Sequence, residues 1–264
     1  MQKVNALKVL MIGNSFSEDT VPYMPQIAKS VGMKDFEIGT LMIGGCTLAT
    51  HFSNSKSGAK NYNFFYFDKE RDCMVIDANK ALIDGFTYSK WDFITIQQAS
   101  HLSGKEETYN QDLDGMLKYI KEHNPNSKLV WNMTWAYAKG YSGLESYNND
   151  QMQMYSSIIK TVQNKIETNE NFFTVSPAGT AIQNGRTSYI GDGFNRDGTH
   201  LSLGLGRFIS GLTLFCLLTG YSPYEINFKP EQMTEKEFDV ARESVDNALK
   251  NKYSVTQSKY KSKD

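Results

Sequence analysis

The sequence is short of several things that could otherwise organise a fold. Its 264 residues include three cysteines, Cys46, Cys73 and Cys216. An odd number at wide spacing fits neither a disulfide framework nor a zinc site. Cys216 falls in a helix that reads as buried, where a thiol is simply a small core residue. Charge of one sign is missing too: 28 Lys and Arg against 29 Asp and Glu give a formal net charge of -1. That balance gives no electrostatic case for nucleic acid or an anionic membrane surface. Long apolar runs are also lacking. The longest, 208–218, is about half the roughly 20 residues that a membrane-spanning helix requires. Residues 8–12 are too few for the apolar core of a signal peptide and read as a strand. The compartment therefore stays open: periplasmic or secreted if a leader has been trimmed, otherwise cytoplasmic.

What remains is the composition of an ordinary globular chain, 40% hydrophobic and 22% charged. The length suits one large α/β domain over residues 1–264, with its core over about 8–253 and a polar, basic tail at 254–264 expected to fray. A domain of this size buries roughly three-quarters of its chain surface, so no metal or disulfide staple is needed. There are no repeats, and no linker is long enough to split the chain. Aromatics are plentiful, with 15 Tyr, 15 Phe and 3 Trp. Many fall in loop-like stretches (62–67 and 135–141), which read either as a sugar-binding surface or as local packing.

Strand and helix signals alternate. Residues 8–12, 36–42, 91–97, 128–133 and 172–175 read as strands, each a short apolar or β-branched run closed by a turn signal. Helical periodicity covers 22–31, with Thr20 as N-cap and Gly32 as stop, then 108–123 and a long 144–167. Thr234 and Glu237 form a capping box that opens a last amphipathic helix. Strands separated by helices of this length imply right-handed crossovers and a mostly parallel sheet covered on both faces. The exception is 62–77, where two strand-like runs flank a charged turn. They read as an inserted β-hairpin lying over the carboxyl ends of the strands.

Against that frame two segments carry the chemistry. Gly13-Asn14-Ser15-Phe16-Ser17 follows the first strand, and Asp197-Gly198-Thr199-His200 precedes a late apolar helix. A serine hydroxyl is a poor nucleophile until a base that is itself oriented takes its proton. Reactive groups in open parallel sheets collect beyond the carboxyl ends of the strands, where Ser15 is placed. There its own amide is aimed into the site, available to an oxyanion. Four histidines are available as the base. His123 ends a helix, a place that favours a dipole or capping role. His51 and His101 have no acid at a matching local spacing. His200 has Asp197 three residues upstream, with Gly198 to let the loop bend. The carboxylate then meets Nδ1 and leaves Nε2 for Ser15. A helix cap explains Ser15 alone, and a loop explains the Asp-x-x-His alone; the two together favour catalysis. The α/β-hydrolase elbow, Gly-x-Ser-x-Gly, is excluded because Ser occupies position 17.

On these residues the chain resembles the SGNH (GDSL-like) hydrolase superfamily, and more closely a branch of it described as a domain of unknown function. The likeness runs over about 8–220 and includes Trp91-Asp92, Gln97-Gln98 and Thr134-Trp135-Ala136. It implies a three-layer α/β/α sandwich of flavodoxin-like type, acyl transfer of the esterase or lipase kind, and no metal or cofactor. It also implies roles: Ser15 as nucleophile, His200 as base and Asp197 as acid. The family's glycine block falls on Gly44-Gly45, with Gly45 favoured over Gly44 as an oxyanion amide. Its asparagine block departs, since Gln97-Gln98 stands there. Gln98, favoured over Gln97, offers the same carboxamide on a longer arm.

The reading is a serine esterase that releases small acyl groups, acetyl above all, from a carbohydrate. Its oxyanion donors are the amides of Ser15 and Gly45 with the Gln98 side chain. Asn14, Gln97, Asn132, Trp135 and Tyr137 are expected to bind substrate, a small-molecule or glycan ester. The alternatives are a non-catalytic carbohydrate-binding protein on the same fold, a lipase or phospholipase-type esterase, and a flavodoxin-like phosphate binder at 14–19. The sequence is silent on oligomeric state.

Overall fold

The computed structural model describes residues 3–262. The chain begins with β1 (Ala6–Gly13), α1 (Ser15–Thr20), α2 (Met24–Ser30), β2 (Asp35–Met42) and α3 (Leu48–Ser57). A hairpin of β3 (Tyr62–Asp68) and β4 (Cys73–Lys80) follows, then α4 (Leu82–Tyr88), β5 (Phe93–Ile96), α5 (Gln111–His123) and β6 (Lys128–Asn132). The last part holds α6 (Gln151–Val162), β7 (Phe172–Ser176), α7 (Ala178–Arg186), α8 (Leu205–Thr219) and α9 (Glu235–Lys250). All seven strands form one sheet in the order β4-β3-β2-β1-β5-β6-β7. From β2 to β7 the pairings are parallel, while β3 pairs antiparallel with β2 and with β4.

Leu7, Val9, Leu10, Met11 and Ile12 of β1 are fully buried. A central parallel strand is covered on both faces, which is why β1 reads as an unbroken apolar run. The crossovers from β1 to β2 and from β5 to β6 move in opposite directions along the sheet. Right-handed connections therefore put α1 and α2 on one face and α5 on the other. α8 packs against α1, α2, α7 and α9, and α3 packs against α5, completing a layer on each side. Reversal of strand order at β1 opens a crevice beyond its carboxyl end, the place where such sheets carry ligands. Ser15 starts α1 at that point.

Four expectations are corrected. The hairpin does not cover the carboxyl ends of the strands; it extends the sheet edge beside β2. Its charged turn lies at the opposite end, where Lys69 stands 3.8 Å from Asp35 at the start of β2. Aromatic strands with unpaired backbone groups gain most by joining an existing edge. The expected long helix at 144–167 is split. Asn148 and Asn149 take φ of 53° and 56°, and the Asp150 carboxylate caps α6 by accepting from Met152 N and Gln153 N. Thr20 is not an N-cap; it ends α1, with its hydroxyl on Phe16 O and the Ser210 hydroxyl. The tail does not fray over its described part. Thr256 N donates to Asn184 Oδ1 at 2.7 Å and Ser258 N to Thr187 Oγ1 at 2.7 Å. The Ser258 hydroxyl and Lys259 N donate to the buried Glu243 carboxylate. Residues 263 and 264 of the expected tail lie outside the described residues.

Deleting 254–264 strips Glu243 of these donors and is expected to lower stability by about 1–3 kcal/mol, read as a fall in the midpoint of thermal unfolding. An unchanged midpoint would refute the docked tail.

Candidate active site

The Ser15 segment owes its shape to Asn14. Its Oδ1 accepts from Phe16 N at 3.0 Å, capping α1, and its Nδ2 donates to Cys46 O at 3.1 Å. Ser17 Oγ closes the same turn on Asn14 O at 2.7 Å. Ser15 N donates to no acceptor among the described residues, so it is one of the free amides that a helix start exposes. Gly44 N and Gly45 N are likewise without acceptors, in an exposed turn closed by Cys46 N on Ile43 O. Gly45 sits there at φ 65°, the left-handed conformation that glycine takes at no steric cost.

The second segment is a narrow loop. Asn195 and Leu201 pair across it, Arg196 N donates to His200 O at 2.9 Å, and Ser202 N donates to Phe194 O at 2.7 Å. Gly198 turns the tip at φ 86°. Its carbonyl accepts from Ala138 N at 2.8 Å, and a Cβ there would meet the Tyr141 ring at 2.4 Å.

These two segments meet. His200 Nε2 lies 2.8 Å from Ser15 Oγ, and His200 Nδ1 lies 2.7 Å from Asp197 Oδ2. Asp197 Oδ1 accepts from His200 N at 2.7 Å and from the amide and hydroxyl of Thr199, each at 3.1 Å. Burial would raise the Asp197 carboxyl, but the His200 amide and ring and the two Thr199 donors outweigh it. The carboxyl is held well below the usual carboxylate range. It is therefore ionised at neutral pH, which favours Nδ1–H on His200 and leaves Nε2 to accept a proton from Ser15.

The other histidines are placed differently. His51 is buried, with Nδ1 2.8 Å from the Tyr62 hydroxyl, and burial pushes it down to about 3, so it stays neutral. His123 Nδ1 bonds the Tyr119 carbonyl at the end of α5, the capping role expected of it. His101 is exposed in a 3-10 turn. Burial pushes the Cys46 thiol up to about 12, so it stays protonated at neutral pH.

The expected substrate and oxyanion side chains fare less well. Asn14, Gln97, Asn132, Trp135 and Tyr137, expected to bind substrate, are all at most 4% exposed, so their side chains are buried behind the site rather than open to it. They hold the site from behind. Gln97 Nε2 donates to Asn14 Oδ1 at 2.9 Å, and Asn132 Nδ2 donates to Gln97 Oε1 at 2.8 Å. Trp135 stacks on Phe16 with centroids 4.2 Å apart, and its Nε1 donates to Thr199 O at 2.8 Å. The Tyr137 hydroxyl meets Ser100 Oγ at 2.9 Å. Gln98 is also committed elsewhere. Its Oε1 accepts from Leu48 N and Ala99 N, and its Nε2 donates to Thr108 Oγ1 at 3.2 Å. That carboxamide ties α3 to the loop after β5 instead of reaching Ser15. A cavity of about 1200 Å³ lies at the far end of the sheet, between the starts of β1, β5 and β6, away from this constellation.

A mostly parallel sheet between two helical layers is the fold of the SGNH (GDSL-like) hydrolases. The chain belongs to the family described as a domain of unknown function, DUF4886, whose model matches residues 8–248. A crystal structure of a DUF4886 family protein from Bacteroides uniformis ATCC 8492 superposes with a TM-score of 0.91 at 35% identity, covering 96% of this chain and 98% of that one. A protein from Parabacteroides merdae ATCC 43184 assigned to the GDSL-like lipases shares the fold at 15% identity and a TM-score of 0.52, covering 83% and 98% of the two chains. No curated protein matches.

Two outcomes test this geometry. Gly198→Ala forces φ 86° on a residue with a Cβ and drives that Cβ into Tyr141. It is expected to cost about 1–3 kcal/mol, measured by denaturant unfolding. Asp197 has a depressed native pKa, so its contribution to stability is complete above the unfolded carboxylate pKa of about 3.9 and is lost as the pH falls through the native value. The gap in unfolding midpoint between wild type and Asp197→Asn should therefore be open at pH 7 and begin to narrow as the pH falls below about 4. A gap that is constant with pH would contradict it.

Proposed function

We propose that the protein is a serine esterase acting on small acyl esters, acetyl first, borne by a carbohydrate. The observation that carries this reading is the unbroken line Ser15 Oγ to His200 Nε2 at 2.8 Å and His200 Nδ1 to Asp197 Oδ2 at 2.7 Å. As Ser15 Oγ bonds to the ester carbonyl carbon, its proton passes to His200 Nε2. The imidazolium is stabilised by Asp197 and then gives that proton to the departing alcohol. Water, deprotonated by the same nitrogen, releases the acid and restores Ser15. The free amides of Ser15, Gly45 and its neighbour Gly44 are the donors suited to the tetrahedral oxyanion. With Gln98 directed at Thr108, backbone N–H groups replace the side-chain donor that the sequence pattern calls for.

A short acyl group is favoured by Phe16 and Trp135. Their stacked rings fill the apolar space beside Ser15 and His200, where a long chain would need an open channel. The carbohydrate part rests on the polar character of the Asp197–His200 rim rather than on exposed aromatics.

Turnover of aryl acetate and release of acetate from acetylated glycans are expected, falling at least 10-fold when the acyl chain reaches eight carbons. Ser15→Ala should abolish turnover, and Asp197→Asn should lower kcat by roughly 10⁴-fold. Full activity in Ser15→Ala would sink the assignment. A preference for long acyl chains would replace it with a lipase.

A further inference from the structure

Asp19 is the one carboxylate of α1 that is fully buried; Glu18 beside it is half-buried. Asp19 lies four residues after Ser15, one turn along the same short helix. Its three hydrogen bonds all come from the other end of the chain. Oδ1 accepts from Arg196 Nη1 at 2.9 Å and from Arg207 Nε at 2.8 Å, and Oδ2 accepts from Leu201 N at 2.7 Å. Arg196 Nη1 also donates to Leu201 O.

The positions of these donors are informative. Arg196 immediately precedes Asp197, and Leu201 immediately follows His200. Both stems of the loop that carries the Asp197–His200 pair are therefore fastened to one carboxylate. The same carboxylate is one helical turn from Ser15. A buried charge is retained only when ionic and hydrogen-bonding partners offset its desolvation, and here two guanidinium groups and an amide do so. Hydrophobic residues of similar volume would fill this space at less cost, so stability alone is a weak reason for the arrangement. Position is a better one. The Ser15–His200 contact spans 185 residues of sequence, and a misplacement of about 1 Å in a reacting pair costs on the order of 10²-fold in rate.

We propose that Asp19 is a positioning residue which, through Arg196 and Leu201, sets the distance from Ser15 Oγ to His200 Nε2. The proposal rests on the reading of those two atoms as the reacting pair.

The test compares Asp19→Asn, Arg196→Ala and Arg196→Lys with wild type on an aryl acetate, each rate normalised to serines titrated by a fluorophosphonate. Asp19→Asn keeps the shape and an acceptor for Leu201 N but discards the charge that Arg196 and Arg207 meet. Its kcat per titrated site should fall 10- to 100-fold with KM within twofold. Arg196→Ala should fall in the same direction, and Arg196→Lys should recover part of the loss. A role in stability alone would lower the unfolding midpoint and the titratable fraction yet leave kcat per site unchanged, and that result overturns the proposal. Should Asp19→Asn fail to fold, the partly exposed Arg196 carries the test, and wild-type kcat in Arg196→Ala overturns it. Ser15→Ala separates the two levels. Activity there removes the esterase reading itself, whereas an inactive Ser15→Ala beside fully active Asp19→Asn and Arg196→Ala removes the clamp alone.

Discussion

The hydrogen bond between His200 and Ser15 is the contact on which the rest of this structure depends. It joins a turn after the first strand to a loop near the last helices, and neither segment holds the other locally. The loop is instead gripped from two directions. On one side Trp135, Asn195 and Ala138 fix the carbonyls of Thr199 and Gly198. On the other, the Asp19 carboxylate takes both stems through Arg196 and Leu201. The Arg186 guanidinium adds a second anchor, reaching Ala136 O, Asn195 Oδ1 and Asp192 from a position so buried that burial pushes it down to about 10. Even so shifted it remains charged at neutral pH, as its carboxylate partner requires.

Behind Ser15 runs a line of buried carboxamides. Phe16 N is a fixed donor, so the oxygen of Asn14 must face it, and every later orientation follows. Gln97 donates to that oxygen, and Asn132 donates to Gln97. The line crosses the carboxyl ends of β1, β5 and β6, turning three separate strand ends into one rigid platform. The orientations of Asn14 and Gln97 are fixed by this line, because flipping either sets donor against donor; Asn132 Oδ1 at its end is buried without a partner among the described residues. Close backbone contact supports the same platform from the helical side. Gly211 of α8 lies so near α1 that a Cβ there would stand 2.7 Å from Thr20 O.

Much of the fold was legible in the sequence. The runs at 8–12, 36–42, 128–133 and 172–175 each became strands within a residue or two of their expected bounds, since short, mostly apolar and β-branched runs closed by turn residues are a local signal. The Thr234 capping box also opens α9 as its spacing predicts. Helices α3, α4 and α7 were not legible. α7 is nine residues long and entirely buried, its Thr180, Gln183, Asn184 and Arg186 included, so no solvent-facing side marks it as a helix. The hairpin was legible as a hairpin, because its pattern is local. Its place at the sheet edge depends on which strand offers free backbone groups, and that is not a local property.

The same division runs through the site. The sequence by itself determined the Asp197–His200 pair, since Asp-x-x-His is a short-range pattern in which spacing dictates geometry, and it placed Ser15 after the first strand; their meeting across 185 residues is tertiary. Only the tertiary structure decided what surrounds them. Gln98 offers a carboxamide at the expected position, yet Thr108, Leu48 and Ala99 claim it. Trp135 and Tyr137, which read either as a sugar-binding surface or as local packing, are interior. Asp19 gives no sign in the sequence of being more than a helix-surface acid, because its partners Arg196 and Arg207 lie 177 and 188 residues away. A side chain's chemistry is written in its own residue, but its free hydrogen-bonding capacity is what the packed neighbours leave over, and those neighbours are assembled only when the chain folds.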